Sequence, residues 1–442
     1  MMIRHVLTAV LPLALLLNQA VCAQEDPLLT LVRVLRDNGT INQQAYATMA
    51  EAIRQRGQAM AAKTARKAAV PETHINTKGK LEISSSDGGF KVRVGGRVQA
   101  DYNAFDSDRA KLGNGSEIRR GRLFVSGTMW RAWQYKFQYD FTSTGIKGIK
   151  DAYIRYRGPG PGVTTVGHFK EPYSLENMTS SKYTMFIERS LPAAFLPGRS
   201  IGLAYAAHGG NWSASGGVFG KGVDDTGAND EGYAASGRVT WAPLHSKENT
   251  LHLGLAASHR DTGSLNSLRL KTRPEAHAAA VSLVDSGNLD VSSFNRYGLE
   301  AAWLHGPFTL QSEYMRLGLN RKLPGGSDLD FDGWYVEGSW FLTGESRNYQ
   351  AGKGAYSKIT PKGIVGQGGM GAWELGLRFS SIDLSDADVT GGEEQNLTVG
   401  LNWYTTPNIR FMANYVDVLN LDGGKHAGDQ PAAFLLRGQI EF

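Results

Sequence analysis

From Gly89 to Phe442 the chain is a succession of segments in which apolar and polar residues alternate with a period of two. Trp133-Gln134-Tyr135-Lys136-Phe137-Gln138-Tyr139-Asp140 alternates aromatic and polar residues without a break, and Trp373 to Phe379 and Asn396 to Trp403 follow the same rule. Asp151 to Arg157 places Ala, Ile and Tyr on one face and Asp, Tyr and two Arg on the other. Successive side chains of a strand point to opposite faces, so each segment carries one apolar and one charged face. Lipid outside and water inside a closed barrel match that division. A two-sheet sandwich with solvent on its outer faces is the alternative.

Two features favour the barrel. Phe434, Leu436, Gly438, Ile440 and Phe442 share one face of the last segment, which ends on the aromatic itself, as the last strand of an outer-membrane barrel is expected to. The segments also count to sixteen strands, starting near residues 89, 118, 133, 149, 162, 200, 211, 232, 250, 293, 307, 331, 372, 394, 408 and 432. An even number with short periplasmic turns and longer outer loops is the pattern of bacterial barrels. The turns at 130–132, 158–162, 209–210, 305–306 and 405–407 are short, and the longest outer connections are 170–199 and 261–292. Residues 344–370 break the rule, being long on the supposed periplasmic side. Sixteen strands leave an aqueous lumen. The fold class expected is therefore all-β, a transmembrane antiparallel barrel over 89–442 preceded by a short helical segment.

Residues 1–23 read as a signal peptide. Arg4 and His5 precede an apolar run from Val6 to Leu17, and Val21-Cys22-Ala23 supplies small residues for cleavage before Gln24. The run is shorter than the ~20 residues a helix needs to span hydrocarbon. Cys22 is the single cysteine, so the mature chain is expected to hold together without disulfides. Within 24–57, Leu28, Leu31, Val32 and Leu35 recur at helical spacing. Asp37-Asn38-Gly39 stops that helix, and Asn42 is placed to cap a second one carrying Tyr46, Met49 and Ile53. The pair is too small to bury a core of its own and is expected to associate with copies of itself, as in a periplasmic coiled coil, or to pack on the barrel rim. Residues 58–88, rich in Ala, Lys and Thr and containing Pro71, read as a linker.

No enzyme motif survives its structural requirement. Gly366-Gln367-Gly368-Gly369-Met370-Gly371 matches G-x-G-x-x-G, but no helix is predicted after it, as dinucleotide binding demands. The ten histidines show no metal-ligand spacing; neither catalysis, a cofactor, a metal nor a nucleic-acid partner is expected. Without Arg4 the net charge falls from +5 to about +4, a small excess, so placement matters more than total. Arg120 and Arg122 lie on the lumen phase opposite Leu123 and Val125. Arg119 shares the phase of Leu123 and reaches water only if its strand begins after it. Arg155, Arg157, Arg378 and Arg410 also point inward by alternation. Arg269, Lys271 and Arg273, two residues apart in an outer loop, form a ladder able to hand an anion along. A solvated loop edge or contact with outer-membrane lipid or lipopolysaccharide fits those three equally well.

Further motifs are similar to those of a known family. Gly167-His168-Phe169-Lys170-Glu171-Pro172 through Leu175-Glu176-Asn177, then Met185-Phe186-Ile187-Glu188-Arg189-Ser190-Leu191-Pro192 and Pro197-Gly198-Arg199, resemble the third outer loop of the phosphate-selective porins of the OprP and OprO type. Lys150-Asp151-Ala152-Tyr153, Leu342-Thr343-Gly344-Glu345-Ser346-Arg347 and Gly371-Ala372-Trp373-Glu374-Leu375 also look like that family.

The resemblance implies a homotrimer of sixteen-stranded barrels in which the third and fifth outer loops and one periplasmic turn, here 344–370, narrow the lumen. It implies an anion constriction of Arg119, Arg120, Asp151, Ser180, Ser181 and Arg189, with Arg269, Lys271 and Arg273 as the access ladder. Arginine offers a planar fork of donors to phosphate oxygens, and Asp151 would accept from a protonated phosphate. Two departures bear on the substrate: the ladder contains a lysine, and His277 stands beyond Glu275 where more cation is expected. The expected function is passive, anion-selective diffusion with phosphate or polyphosphate as first candidates. The alternatives are a general porin and a structural or adhesive barrel.

Overall fold

The computed structural model describes residues 26–68, 72–77, 79–223, 230–322 and 326–442. The expected signal peptide and its cleavage site fall outside these. The chain divides into two units, Met1–Pro71 and Glu72–Phe442.

The first unit contains helices Pro27–Asp37 and Gln43–Ala68. Asp26 caps the first, its side chain accepting from the Leu28 amide at 2.9 Å, and Pro27 opens it where no amide hydrogen is needed. Gly39, at φ +73°, turns the chain out of that helix. Asn42 caps the second by accepting from the Ala45 amide at 2.8 Å. That second helix continues to Ala68, so the expectation of a linker from residue 58 is corrected. Ala, Gln, Met, Lys and Arg dominate 58–68, and these are strong helix formers. A hairpin of Thr73–Asn76 and Leu81–Ser85 occupies more of the supposed linker, its second strand pairing with Lys91–Val94.

The second unit is a closed sixteen-stranded antiparallel barrel. Its strands are Lys91–Asp106, Gly115–Met129, Trp133–Asp140, Ile149–Tyr156, Gly162–Lys170, Arg199–His208, Trp212–Phe219 and Ala234–His245 in the first half. Asn249–Asp261, Leu289–His305, Phe308–Arg321, Leu329–Phe341, Ala372–Asp386, Val389–Tyr404, Ile409–Asp422 and Ala432–Glu441 complete it. Each begins within a few residues of its expected place. Closure comes from the last strand pairing with the first, from Ala432 opposite Asp106 to Glu441 opposite Arg97. Phe442 extends the seam by exchanging backbone bonds with Gly96, at 3.0 and 3.2 Å. A Cβ at Gly96 would meet the Arg122 carbonyl at 2.6 Å and the Phe442 ring at 2.7 Å, so only glycine fits this approach.

Alternation holds in three dimensions. In the first strand Arg97, Gln99, Asp101 and Asn103 face inward and are buried, while Val98 and Tyr102 are exposed on the outside. No helix of the described residues is long and apolar enough to cross a membrane; the strands do so.

The lumen is partly filled. Ile187, Leu191 and Phe195 of the third outer loop (171–198) and Leu270, Ala276 and Leu283 of the fifth (262–288) pack on inward residues such as Met315, Phe331, Ile382 and Val416. Residues 342–371 enter too, where Tyr349, Ala351 and Tyr356 pack with Leu175, Ala242 and Leu304. The Tyr356 amide donates to the Thr179 hydroxyl at 3.2 Å, joining that turn to the third loop. The long connection that broke the parity rule is thus an inward-folded segment, and the strand count stands.

Candidate functional site

The third loop is held across the lumen by polar groups projecting from the wall. Glu313 accepts from the amides of Leu175 and Glu176 at 3.0 and 2.8 Å, fixing the start of the short helix Leu175–Met178. Glu176 in turn accepts from the Ser190 amide at 3.1 Å and its hydroxyl at 2.9 Å, which draws the loop's two limbs together. Farther round, Arg410 donates to the carbonyls of Thr184 and Met185, Asn414 accepts from the Ile187 amide, and Arg437 donates to the Ile187 carbonyl at 2.6 Å. Buried backbone needs such partners, and charged donors give the stronger bonds. Glu188 and Arg189 are therefore presented from a fixed frame.

Opposite them stand Arg119 and Arg120. Between Gln99 and Ala100 the pairing of the first two strands jumps from Arg120 to Ile118, leaving Arg119 as the extra residue of a β-bulge. The bulge resets the phase, so two consecutive arginines face the lumen. The expectation that Arg119 reaches water only by preceding its strand is corrected: the strand begins at Gly115. Arg119 makes a two-pronged bond to Glu188 at 2.8 and 3.0 Å. Arg437 reaches the same carboxylate at 2.9 Å and holds Asp101 at 2.7 and 2.6 Å. Arg120 lies 3.7 Å from Glu188 and donates to Gln99 at 2.9 Å. Burial alone would push the Glu188 carboxyl upward, but Arg119, Arg120 and Arg437 hold it well below the usual carboxylate range.

Arg189 is different. It donates to the carbonyls of Glu176 and Thr179 at 3.1 and 3.3 Å and, among the described residues, forms no ion pair. Its charge is oriented, and Glu176 and Glu188 compensate it only through space.

Arg119, Arg120 and Arg189 line one cleft of about 830 Å³ together with Arg269, Lys271 and Arg273. Arg269, Lys271 and Arg273 are all exposed, while Leu270 between the first two is buried and Thr272 between the last two is half-buried. Their charges are not equally available. Arg269 is clamped by Asp285 at 2.8 and 2.6 Å, Arg273 donates to the His277 carbonyl at 2.7 Å, and Lys271 has no ion pair among the described residues. His277 turns its Nδ1 to Glu117 at 2.9 Å.

The remaining expected residues lie outside that lining. Asp151 is bound by Lys136 at 2.5 Å and Arg199 at 2.9 Å. The Ser180 hydroxyl accepts from Arg97 at 3.4 Å, and Gln99 ties the Ser181 carbonyl, at 3.1 Å, to Arg120. Of the other inward arginines, Arg122 pairs with Asp140 at 2.6 Å and Arg155 donates to Thr165 at 3.1 Å. Arg378 is buried against Glu275. Arg157 is corrected: its strand ends at Tyr156, and it is exposed in the turn.

Sequence reasoning missed Glu188, Arg437, Arg97, Lys425 and His426, of which Glu188, Lys425 and His426 line the cleft. Arg437 was within reach, since it occupies the phase opposite Phe434, Leu436 and Ile440. The loop residues carried no such signal.

Comparison with known proteins is consistent with this arrangement. A family model described as phosphate-selective porin O and P matches residues 92–442. Porin O of Pseudomonas aeruginosa is 30% identical over 415 residues, covering 83% of this chain and 92% of that protein. An uncharacterized protein of Caulobacter vibrioides is 31% identical over 366 residues, covering 79% and 72%. Among solved structures, an anion-selective porin from Comamonas acidovorans has a TM-score of 0.52 at 12% identity, covering 80% of this chain and 100% of that one. OmpT of Vibrio cholerae has a TM-score of 0.53 at 10% identity, covering 80% and 98%. At such identities these two likenesses establish the barrel fold alone.

Proposed function

Because the chain belongs to the phosphate-selective porin O and P family of the bacterial outer membrane, we propose that it conducts anions passively, with inorganic phosphate the first candidate substrate. The observation that carries this reading is the make-up of the 830 Å³ cleft, lined by Arg119, Arg120, Arg189, Arg269, Lys271, Arg273 and Lys425 against the carboxylates Glu188, Glu275 and Asp285. Glu275 is already bound by Arg378. A cleft dominated by one sign of charge concentrates counter-ions.

The geometry supports a graded path. At the mouth, Lys271 attracts as a hydrated point charge and Arg269 is damped by Asp285. Deeper, Arg189 offers a guanidinium without an ion pair among the described residues, whose fork matches phosphate oxygens. Glu188 neutralises much of Arg119 and Arg437. That keeps binding loose enough for release, which conduction requires as much as capture. Asp151, engaged by Lys136 and Arg199, acts in this reading by tempering those cations rather than by accepting from the ion. Polyphosphate enters by the same chemistry as a chain of such oxyanions.

A general porin is the second reading, favoured by the pairing of Arg269 and Arg119 with carboxylates. The two separate in a planar bilayer: chloride current is recorded in a salt gradient while phosphate is titrated in. Anion-favouring reversal potentials with phosphate block support the selective channel; neither effect supports the general one. The homotrimer implied by the family resemblance belongs to the same proposal, and cross-linking of the detergent-solubilised protein tests it.

A further inference from the structure

Against the third loop, where it returns to the wall, lies a second cavity of about 380 Å³ whose lining includes Arg199, Arg260, Arg296, Lys221 and Glu171. The two cavities share only the Pro197–Gly198 step of the loop. At roughly 30 Å³ per water molecule, the space accommodates a tetrahedral oxyanion with part of its hydration shell.

Arg296 is the residue without an explanation in the folded chain. It projects inward from the tenth strand and is 8% exposed. Its Nε and Nη1 are buried with no hydrogen-bond partner among the described residues, and the Phe294 ring lies 4.6 Å from the guanidinium carbon. Arginine does not shed its proton in proteins, so the charge stays. A buried, unpaired charge is strongly unfavourable and calls for a counter-charge.

The carboxylate of the lining, Glu171, acts on Arg296 through space but is shared with other groups. Glu171 accepts from Arg260 at 2.8 Å, Ser200 at 2.7 Å and Ser236 at 2.5 Å, so its oxygens are occupied. Arg199 turns its Nε away to Asp151 at 2.9 Å. Arg199, Arg260 and Arg296 thus face one carboxylate of the lining, Glu171, which Arg260 already binds.

We propose that this chamber is a second oxyanion site, off the conduction path, in which Arg296 and Arg260 hold a free inorganic phosphate or sulfate ion against the hinge of the third loop. Two guanidinium forks suit a tetrahedral oxyanion better than a spherical halide. The ion compensates Arg296 and braces the limb of the loop that returns to the wall at Arg199. This inference does not rest on phosphate being the conducted ion.

The test is calorimetric titration of the full-length, detergent-solubilised protein with inorganic phosphate, in halide buffer. Arg296→Met is expected to bind one phosphate fewer per protomer than the wild type, whereas Arg189→Ala retains the Arg296-dependent ion. Arg296→Lys, which keeps the charge and loses the fork, is expected to weaken that ion's binding at least tenfold, and sulfate is expected to compete for it. Heat-modifiable migration on gels verifies that each variant is folded. An unchanged phosphate count in folded Arg296→Met, or no phosphate bound by folded Arg189→Ala, overturns the proposal. If the chamber fills and the channel shows no phosphate block, the conduction reading fails and this one stands.

Discussion

Arg437, on the last strand, donates to Glu188, in the third outer loop, at 2.9 Å while also holding Asp101 and the Ile187 carbonyl. One wall arginine therefore fixes both the loop's position and the charge of its central carboxylate. Glu188 sits where it subtracts from the attraction that Arg119, Arg120 and Arg437 exert on a passing anion.

Glu188→Gln is accordingly expected to tighten anion binding and slow release. Removing one carboxylate near three guanidiniums shifts the balance by an amount on the order of 1.4 kcal/mol, about tenfold in affinity, after solvent screening. Phosphate titrated against single-channel chloride current should block at about tenfold lower concentration, with lower conductance in phosphate. Weaker block in the variant would mean that Glu188 acts by placing Arg119, not by tempering it.

Arg189→Ala tests the opposite sign. Arg189 is oriented by two carbonyls and forms no ion pair among the described residues, so its loss breaks no direct carboxylate contact, although it removes a cation that acts through space on Glu176 and Glu188. Phosphate block should weaken about tenfold or more, the scale of one charge-assisted contact, with the barrel still heat-modifiable. Unchanged block in this variant would remove Arg189 from the anion path.

The barrel was legible in the sequence because its grammar is local. A period of two, repeated through short turns, specifies strand, face and number without any distant contact. Arg119 shows the limit of that grammar: a bulge inserts one residue, and the phase read from Leu123 gives the wrong face for everything before it. The stretch 58–68 shows another, since Ala and Lys read as linker by composition yet continue a helix. The site was less legible. Glu188 and Lys425 reach the cleft along loop paths fixed by wall residues far away in sequence, such as Glu313 and Asn414 for the third loop. Alternation within a strand carries no trace of them.

The bulge itself makes a distinctive prediction. Deleting Arg119 would restore regular pairing, because Ile118 already faces Ala100 and Arg120 already faces Gln99. The deletion should fold and insert, with anion preference reduced by the loss of one lumen cation. Deleting Gly121 would also absorb the bulge and keep Arg122 opposite Arg97, but it would place Arg120 opposite Val98 on the lipid-facing phase, and should lower the heat-modifiable fraction. Equal loss of folded barrel in both would show that the bulge is required for closure.

At the seam, Gly96→Val is expected to impair assembly, since its branched side chain collides with the Arg122 carbonyl and the Phe442 ring. Overpacking typically costs about 1–3 kcal/mol, and here the strain falls on the pairing that closes the barrel. The folded fraction in outer-membrane preparations should drop, and urea midpoints of refolded protein should fall. A Gly96→Val barrel of wild-type stability would mean that the seam yields without cost.

The ladder's unequal charges lead to the last prediction. Arg269 makes a direct two-pronged pair with Asp285, whereas Lys271, opposite Asp285 in the strand pair, feels it only through space, so the two are unequally available to a passing anion. Lys271→Glu should reduce anion preference more than Arg269→Glu: the two changes are equal in charge, but the Arg269 fork is already engaged by Asp285 and has less direct contact with a passing anion to lose. Asp285→Asn should do the reverse and strengthen anion preference by unmasking Arg269. Both effects should be plain at about 0.1 M salt, where charges act over ~10 Å, and nearly vanish at 1 M, where the range is ~3 Å. Reversal potentials of the three variants across that salt range decide the matter. If Arg269→Glu and Lys271→Glu shift them equally, Asp285 does not screen the ladder in the working channel, and the mouth attracts anions as a uniform row of cations.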